Sequence, residues 1–553
     1  MRLMIAGGGG FRVPLVYRAL CSGRYAGLVS EVVLFDVDGG RLAAIEAVLR
    51  SMSLEFSRSL EFSRSSEVSG AADGSSGVGR SSRRPPAVTS TTSLPRALNG
   101  TDIVFAAIRP GGTAGRVADE RVAQDLGLLG QETTGAGGIS YALRSIPAML
   151  ELAANMRTHC PDAWLINFTN PAGMVTQALV PVLGRRVIGI CDSASAVVHR
   201  AARAAGVPLP AGKLDGVGYY GLNHLGWLYR LESGGRDLLP GLLADREALA
   251  SFEEGRLFPQ SFLRDLGLLP NEYLFYYYEA ARAMAGMRAM ARTRGESIHG
   301  QQAELYPRLA AAGDEAYGLW EAARRSREEG YLAEARTGGE ARNPEDLAGG
   351  GYEQVALAVM LALAGGAAAD GVADDGARDL GGGDVGGARG AATELILNTP
   401  NSPGQSSDEG QSSAAGQSSA AGQSSAAGQS SAAGQSSAAG QFSAAGQSFA
   451  GAGGARAAVP GLPPDAVVEV PCSVTPEGAV PIQQDMPAEP QLGLLQQVKK
   501  VELLTVRAAS AGDRDAALEA FAEHPLVGSA ELATALLTGY EGAFPELAGL
   551  WRR

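Results

Sequence analysis

A short apolar strand that runs straight into a glycine turn limits what this chain can fold into more than any other feature. Arg2-Leu3-Met4-Ile5-Ala6 leads into Gly7-Gly8-Gly9-Gly10, and residues 13–20 continue with helical spacing. Strand, glycine turn and helix in that order open a dinucleotide-binding unit. Glycine lets the backbone approach a pyrophosphate, and the helix N-terminus favours its charge. The strict G-x-G-x-x-G spacing is not met, because neither Arg12 nor Val13 is a glycine. Alone, the turn is equally consistent with a plain glycine bend. Val32-Val33-Leu34-Phe35-Asp36 strengthens the reading, as a second strand that ends in a carboxylate. Asp36 can accept hydrogen bonds from the adenosine ribose hydroxyls, which favours NAD over NADP. Its distance from the glycines, about thirty residues against the usual twenty or so, suits a longer first helix.

The same alternation continues. Residues 3–6, 32–35, 103–108, 164–167 and 187–190 read as buried parallel strands, with helical patterns such as 141–157 between them. The expectation is an α/β fold: a Rossmann-like doubly wound sheet over residues 1–200, which binds the cofactor, and a mixed, more helical domain over 201–553 for catalysis, substrate and oligomerisation. In the second part 467–470 reads as a strand, while 490–522 and 530–540 carry helical spacing and are expected to pack across the open edge of the first domain. Three stretches interrupt the pattern: the Ser-, Arg- and Gly-rich 51–92, the Gly-, Ala- and Asp-rich 365–390, and 404–454, where Gly-Gln-Ser-Ser-Ala-Ala repeats. None can bury enough apolar surface to offset its ordering entropy, so all three are expected to be flexible loop insertions.

Composition narrows the function classes. The 553 residues are 45% hydrophobic, enough for a sizeable core in two or three domains. A net charge of −13, a pI of about 5.1 and the lack of a basic stripe argue against a nucleic-acid partner. The apolar run 354–364 is too short to span a bilayer. The N-terminus lacks the features of a signal peptide. Cys21, Cys160, Cys191 and Cys472 are too scattered for a disulfide framework. The expectation is a reduced, cytoplasmic protein with no membrane partner.

Chemistry-bearing residues collect after the strands. Cys191-Asp192 follows the strand 187–190, and Asn167-Phe168-Thr169-Asn170-Pro171 lies at the same edge, where ligands of α/β sheets bind. His224 follows Gly-Tyr-Tyr-Gly-Leu-Asn. A lone cysteine is most often a small buried apolar residue, and a lone histidine is more often structural than a ligand. Their shared position in loops after strands, not their spacing, argues for a divalent transition metal. In the aromatic cluster 273–278 most rings are core packing, but one tyrosine in a cationic, metal-bearing site could ionise and act as a base. Arg292-Thr293-Arg294 and Arg109, with Arg116 beyond it, supply cations for an anionic group, and Gln131-Glu132-Thr133 sits in a glycine-bounded polar loop.

Taken in order, IAGGGG, LFDVD, TDIVFAAIRPGG, GLLGQETTGAGG, INFTNPAGMV, IGICDS, GLNHLGW, LPNEYLFYYY, RTRGE, VPGLPPDAVVEVP and HPLV resemble the family 4 glycoside hydrolases, most of all the 6-phospho-β-glucosidases among them. These segments cover nearly the whole chain outside the three interruptions. The resemblance implies a mechanism unlike that of glycosidases built on two carboxylates. NAD takes hydride from C3 of the sugar, and a divalent metal, Mn in the family, polarises the resulting ketone. A tyrosine removes the C2 proton, the C1–O bond breaks by elimination, water adds, and the hydride returns. The resemblance makes Cys191 and His224 the metal ligands, Asp192 the proton donor and Tyr273 the base, with Glu132 raising that tyrosine's basicity. Arg116, Asn170 and Arg294 match substrate-contacting positions, with arginine suited to a 6-phosphate. Gly7, Gly8, Gly9, Asp36 and Arg109 would hold the cofactor. The substrate implied is a phosphorylated disaccharide or glycoside, and the assembly a homodimer or homotetramer. The chain departs from the family in Gly10-Phe11-Arg12, where Ser or Thr usually follows three glycines, and in lacking a proline shortly after Cys191. Asp192 stands where many β-specific members carry Asn, so a 6-phospho-α-glucosidase stays open. An NAD-dependent 2-hydroxy-acid dehydrogenase would share the first domain without needing Cys191 or His224. The intact Cys191, Asp192, His224 and Tyr273 argue against a degenerate, non-enzymatic binding protein.

Overall fold

Strand β1 (Arg2–Ala6) is apolar on both faces and all but its first residue is buried, so it sits inside a parallel sheet rather than at an edge. It pairs in parallel with β2 (Glu31–Phe35) and β4 (Ile103–Ala106). Strand β3 (Ala87–Thr91) adds to β2, and β5 (Trp164–Asn167) and β6 (Val187–Gly189) add to β4. The resulting order β3-β2-β1-β4-β5-β6 is that of a doubly wound dinucleotide-binding sheet, with its switch point between β1 and β4. The structure, a computed structural model, describes residues 1–21, 23–69, 84–336, 342–343, 346, 351–365, 392–402 and 456–552.

The sheet does not stop at residue 200. On its β6 edge it continues through antiparallel strands: β11 (Thr393–Pro400), β12 (Val467–Thr475), β7 (Val217–Leu222), β8 (Leu225–Ser233) and β10 (Leu269–Pro270). A one-residue bridge, Asn398 opposite Gly189, stitches this half onto β6, and a second, Glu469 opposite Gly221, joins β12 to β7 within it. Strand β9 (Arg236–Asp237) pairs with β8, and β13 (Gly478–Pro481) pairs with β12. Alternate residues of the parallel strands feed separate cores. Leu3, Ile5 and Phe105 face one, and Met4, Ala6 and Val104 the other. Strands therefore close the open edge, while the C-terminal helices pack on a face, against the helices Ala136–His159 and Ala172–Leu183.

Several boundaries differ from the sequence reading. The stretch 51–92 is not a flexible insertion throughout. The helix Gly39–Ser69 runs through its first part with Met52 fully buried, and β3 pairs in register with β2 at its end. Residues 70–83 lie outside the described residues, as do almost all of 365–390 and all of 404–454. The fourth strand ends at Ala106 because the Ile108 N–H donates to Thr169 Oγ1 (3.0 Å) instead of extending the ladder. The helical stretch 490–522 is two helices, Glu489–Ala511 and Arg514–Glu523, divided at Gly512, whose φ of 68° is left-handed. Among the described residues no helix is long and apolar enough to cross a membrane.

Candidate active site

Gly7 has φ +86°, and a Cβ there would lie 2.5 Å from the Ala107 carbonyl oxygen, so only glycine fits. The N–H groups of Gly7 and Gly8 both donate to Phe35 O (2.9 and 2.7 Å), and the Gly9 N–H donates to Asp36 Oδ2 (3.0 Å). The turn is thus tied to the end of β2 and to the carboxylate expected to read the ribose. Gly7 and Gly10 line a cavity of about 1610 Å³ at the switch point of the sheet. Gly8 and Gly9, expected to contact the cofactor, lie beneath the turn against Leu34 and Arg41. Asp36 and Arg109 line the cavity, as do the expected substrate residues Arg116, Asn170 and Arg294. So do Glu132, Cys191, Asp192, His224 and Tyr273. Residues that are far apart in sequence therefore share one space.

The hairpin register, Leu222 opposite Leu225, leaves Asn223-His224 as a two-residue turn, with His224 at φ 65°. Asn223 Oδ1 fixes the turn by accepting the Ala172 N–H (3.0 Å) at the start of the helix Ala172–Leu183. The His224 ring stacks on Tyr273 at 3.7 Å. Its Nδ1 is buried without a partner, and burial pushes the imidazole down to about 3, so it is neutral. Asn170 Oδ1 is likewise buried and unpartnered. Burial, then Glu469 and Asp192, push the Cys191 thiol well up. Among the described residues there is no group of three or more His, Cys, Asp or Glu able to hold a metal. The protein therefore offers a sulfur and a free imidazole nitrogen, while the Asn170 oxygen is left for the substrate expected of it. These donors fit a divalent transition metal that takes its remaining ligands from elsewhere.

Burial would raise the Glu132 carboxyl, but Arg109 Nη1 at 2.5 Å and Arg116 hold it down to about 2. Arg116 also donates through Nε to Glu120 (2.8 Å), whose other oxygen accepts the Gly295 N–H (2.8 Å). Arg294 donates to the Gly330 and Arg327 carbonyls. The three expected arginines are therefore already held by the protein. Among the other arginines that line the cavity are Arg12 and Arg327, which were not anticipated as site residues. Arg327 Nη1 is buried and unpartnered. Burial, then Arg12, Arg294, Arg116 and Arg109, push its guanidinium well below the ordinary range. In the sequence Arg327 ends Arg324-Arg325-Ser326-Arg327, which reads as a solvated helix face.

Tyr273 lies in the turn Glu272–Leu274 after β10, and burial, then Glu272 and Cys191, raise its hydroxyl well above the ordinary value. Glu272, not Glu132, is the carboxylate that acts most on it. Glu272 Oε1 accepts from Ser193 Oγ (2.6 Å) and Tyr331 OH (3.3 Å), so the turn bearing Tyr273 is tied to the helix Ser193–Ala204 that follows Asp192. Glu469 also escaped the sequence reading, although a carboxylate inside the apolar run Val-Val-Glu-Val is a signal. It is buried on β12, raised to about 7 by burial, and accepts from Asn398 (3.1 Å), Tyr219 (3.3 Å) and Asn223 (3.4 Å).

Two family models match the chain: the family 4 glycosyl hydrolase model over residues 77–207, and that of the family 4 glycosyl hydrolase C-terminal domain over 219–372 and 452–527. The 6-phospho-alpha-glucosidase 1 of Lacticaseibacillus paracasei is 36% identical over 203 residues, 34% of this chain and 45% of the relative. The 6-phospho-beta-glucosidase of Escherichia coli is 33% identical over 208 residues, 36% of this chain and 46% of the relative. The matched stretch thus spans about half the length of these curated relatives. The 6-phospho-beta glucosidase of Thermotoga maritima, solved with manganese, NAD+ and glucose-6-phosphate, shares the fold with a TM-score of 0.65 at 21% identity, covering 99% of each chain. A 6-phospho-alpha-glucosidase from gut microorganisms, solved with NAD and Mn2+, has a TM-score of 0.62 at 21% identity over 98% of this chain and 97% of that one. With both halves matched in order and the fold shared along its length, the chain belongs to family 4 of the glycosyl hydrolases.

Proposed function

We propose that this chain hydrolyses 6-phosphoglucosides, the β-anomer first, using NAD and a divalent metal, Mn by analogy with its relatives. The observation that carries the reading is a single cavity lined by the glycine turn with Asp36, the unspent His224 Nδ1 and Asn170 Oδ1, and the arginine group that includes Arg327. On this reading residues 1–200 hold the cofactor and also supply Arg116, Asn170 and Asp192, and 201–553 supply the base and the substrate contacts Arg294 and Arg327. Cys191 and His224 would hold the metal, and Asp36 would accept from the ribose. When bound, NAD supplies reversible hydride acceptance at C3 and the metal supplies Lewis acidity beside it. Tyr273, stacked on His224, takes the C2 proton, and Asp192 gives a proton to the leaving oxygen. Arg116, Arg294 and Arg327 hold the phosphate, and Asn170 holds a sugar hydroxyl. Glu132, between Arg109 and Arg116, keeps those two cations in place. The α-anomer is the second reading, favoured by the ionisable Asp192 in the donor position.

The test is release of p-nitrophenol from the 6-phospho-β- and 6-phospho-α-glucosides, each with and without NAD+ and Mn2+. Hydrolysis that needs both additions and leaves no net NADH supports the proposal. Net NADH with no hydrolysis would replace it with a dehydrogenase. We expect a homo-oligomer, checked by light scattering.

A further inference from the structure

The glycine turn is braced from outside the nucleotide-binding half of the chain. Tyr306 OH donates to Gly9 O (2.8 Å), Trp320 Nε1 to Phe11 O (2.8 Å) and Tyr352 OH to Arg12 O (2.6 Å). All three are buried, Trp320 completely. They come from three helices, Arg294–Ala311, Ala316–Glu329 and Tyr352–Leu363. Buried aromatic donors normally find some acceptor. Here all three find carbonyls within four residues of one turn.

Peptide geometry gives this a consequence. In a trans peptide the C=O of one residue and the N–H of the next point in opposite directions. Within the turn the Gly10 N–H donates to Gly7 O (2.8 Å) and the Val13 N–H to Gly10 O (3.1 Å). Among the described residues the N–H groups of Phe11 and Arg12 have no protein partner. The Arg12 N–H shares its peptide with the Phe11 carbonyl, so the bond from Trp320 aims it away from the indole. A donor on a carbonyl also polarises the peptide and strengthens its N–H as a donor.

We propose that Trp320 is a positioning residue for the dinucleotide, which holds the Phe11 carbonyl so that the Arg12 N–H stays presented to its pyrophosphate, while Tyr306 and Tyr352 fix the flanking peptides, whose own N–H groups (Gly10 and Val13) are spent inside the turn. This rests on the reading of the turn as an NAD site and assigns that site's affinity partly to residues more than 290 positions away. Two of the three also belong to or touch segments that carry expected substrate residues. Tyr306 shares its helix with Arg294, and Tyr352 stacks on Phe168 at 4.1 Å, two residues before Asn170.

The test is calorimetric titration of the full-length protein with NAD+ for wild type, Tyr306→Phe, Tyr352→Phe and Trp320→Phe, with melting temperature and glucose 6-phosphate binding measured beside it. Each variant keeps an aromatic ring and loses one donor to the turn, Tyr306→Phe losing also the acceptor of Arg41 Nη2 (2.8 Å), and in Trp320→Phe the NAD+ dissociation constant should rise about tenfold. Tyr540→Phe is the control for a merely structural loss. Tyr540 is equally buried and donates to a carbonyl away from the turn, that of Asp119 (3.0 Å). It should lower the melting temperature comparably and leave NAD+ affinity unchanged. If wild type binds NAD+ and Trp320→Phe binds it equally well, the bracing role is overturned and the NAD site stands. If wild type binds no NAD+ while it binds glucose 6-phosphate, the cofactor reading fails and this proposal with it.

Discussion

The imidazole of His224 lies flat on the ring of Tyr273, with centroids 3.7 Å apart and planes only 4° from parallel. The stack fixes both groups at once, because His224 sits in a two-residue hairpin turn and Tyr273 in a short turn tied through Glu272 to Ser193. If, as proposed, His224 holds the metal and Tyr273 is the base, the two cannot move independently.

Tyr273→Phe should therefore preserve the stack and remove only the hydroxyl. A positioned base contributes on the order of a hundred- to ten-thousand-fold in rate, and a loss of that size is expected in turnover. Exchange of the substrate C2 proton with deuterated solvent should stop, while some enzyme-bound NADH can still form. Among neighbouring tyrosines, Tyr276 is committed elsewhere, since its hydroxyl donates to Glu334 at 2.6 Å. Wild-type C2 exchange in Tyr273→Phe, together with its loss in Tyr276→Phe, would move the assignment to Tyr276.

Cys191→Ser should abolish metal-dependent turnover and leave NAD+ affinity within about twofold, because the glycine turn and Asp36 are held by bonds that do not involve Cys191. Mn2+ binding followed by electron paramagnetic resonance reads the first effect directly. Stoichiometric Mn2+ at wild-type affinity in the variant would remove Cys191 from the ligand set.

Arg327 gives a prediction in which stability and affinity move in opposite directions. Its Nη1 is buried without a partner beside other arginines, so the unliganded protein holds a poorly compensated charge. Arg327→Met should keep most of the side-chain volume, raise the melting temperature of the unliganded protein by a few degrees, and weaken glucose 6-phosphate about tenfold or more. A fall in stability with no change in sugar-phosphate affinity would make Arg327 a packing residue only.

How much of this was legible in the sequence follows from the kind of signal each part carries. Strands β1, β2, β4, β5 and β6 are buried on both faces and read as unbroken apolar runs. Strand β3, Ala-Val-Thr-Ser-Thr, is an edge strand of mixed burial and carries no such run. Strand β11 was missed because its partners are distant in sequence: β12 along its whole length and β6 at a single residue. The expected site residues other than Gly8 and Gly9 line one cavity; Asp36, Asn170 and Cys191 follow strand ends, which local pattern reveals, whereas Arg116 and Arg294 lie in helices and Glu132 in a loop between two helices. Arg327, Glu469 and the three aromatic donors to the glycine turn act across hundreds of residues. In sequence Arg327 and the aromatic donors are indistinguishable from a polar helix face and core rings, and Glu469 shows only as a carboxylate within an apolar run.

The last prediction concerns pH and lies outside the cavity, at the histidine of the His-Pro-Leu-Val segment. His524 is buried, and its Nδ1 accepts the Leu526 N–H at 3.1 Å, so the neutral ring carries its proton on Nε2. Protonating Nδ1 would set two N–H groups against each other in a buried site. Burial accordingly pushes His524 from 6.5 down to about 4. Between those values the unfolded chain binds more protons than the folded one, so stability rises with pH. The contribution is fully present above pH 6.5 and is lost as pH falls from there through 4. At about 1.4 kcal/mol per unit, its upper bound is about 3 kcal/mol. His224, pushed down to about 3, acts in the same direction, while Glu469, raised to about 7, acts in the opposite one. The useful quantity is therefore the difference between wild type and His524→Gln in urea unfolding at pH 7.5 and pH 4.5. Wild type should lose more stability than the variant on acidification. Parallel losses in the two proteins would show that His524 titrates at its ordinary value despite its burial.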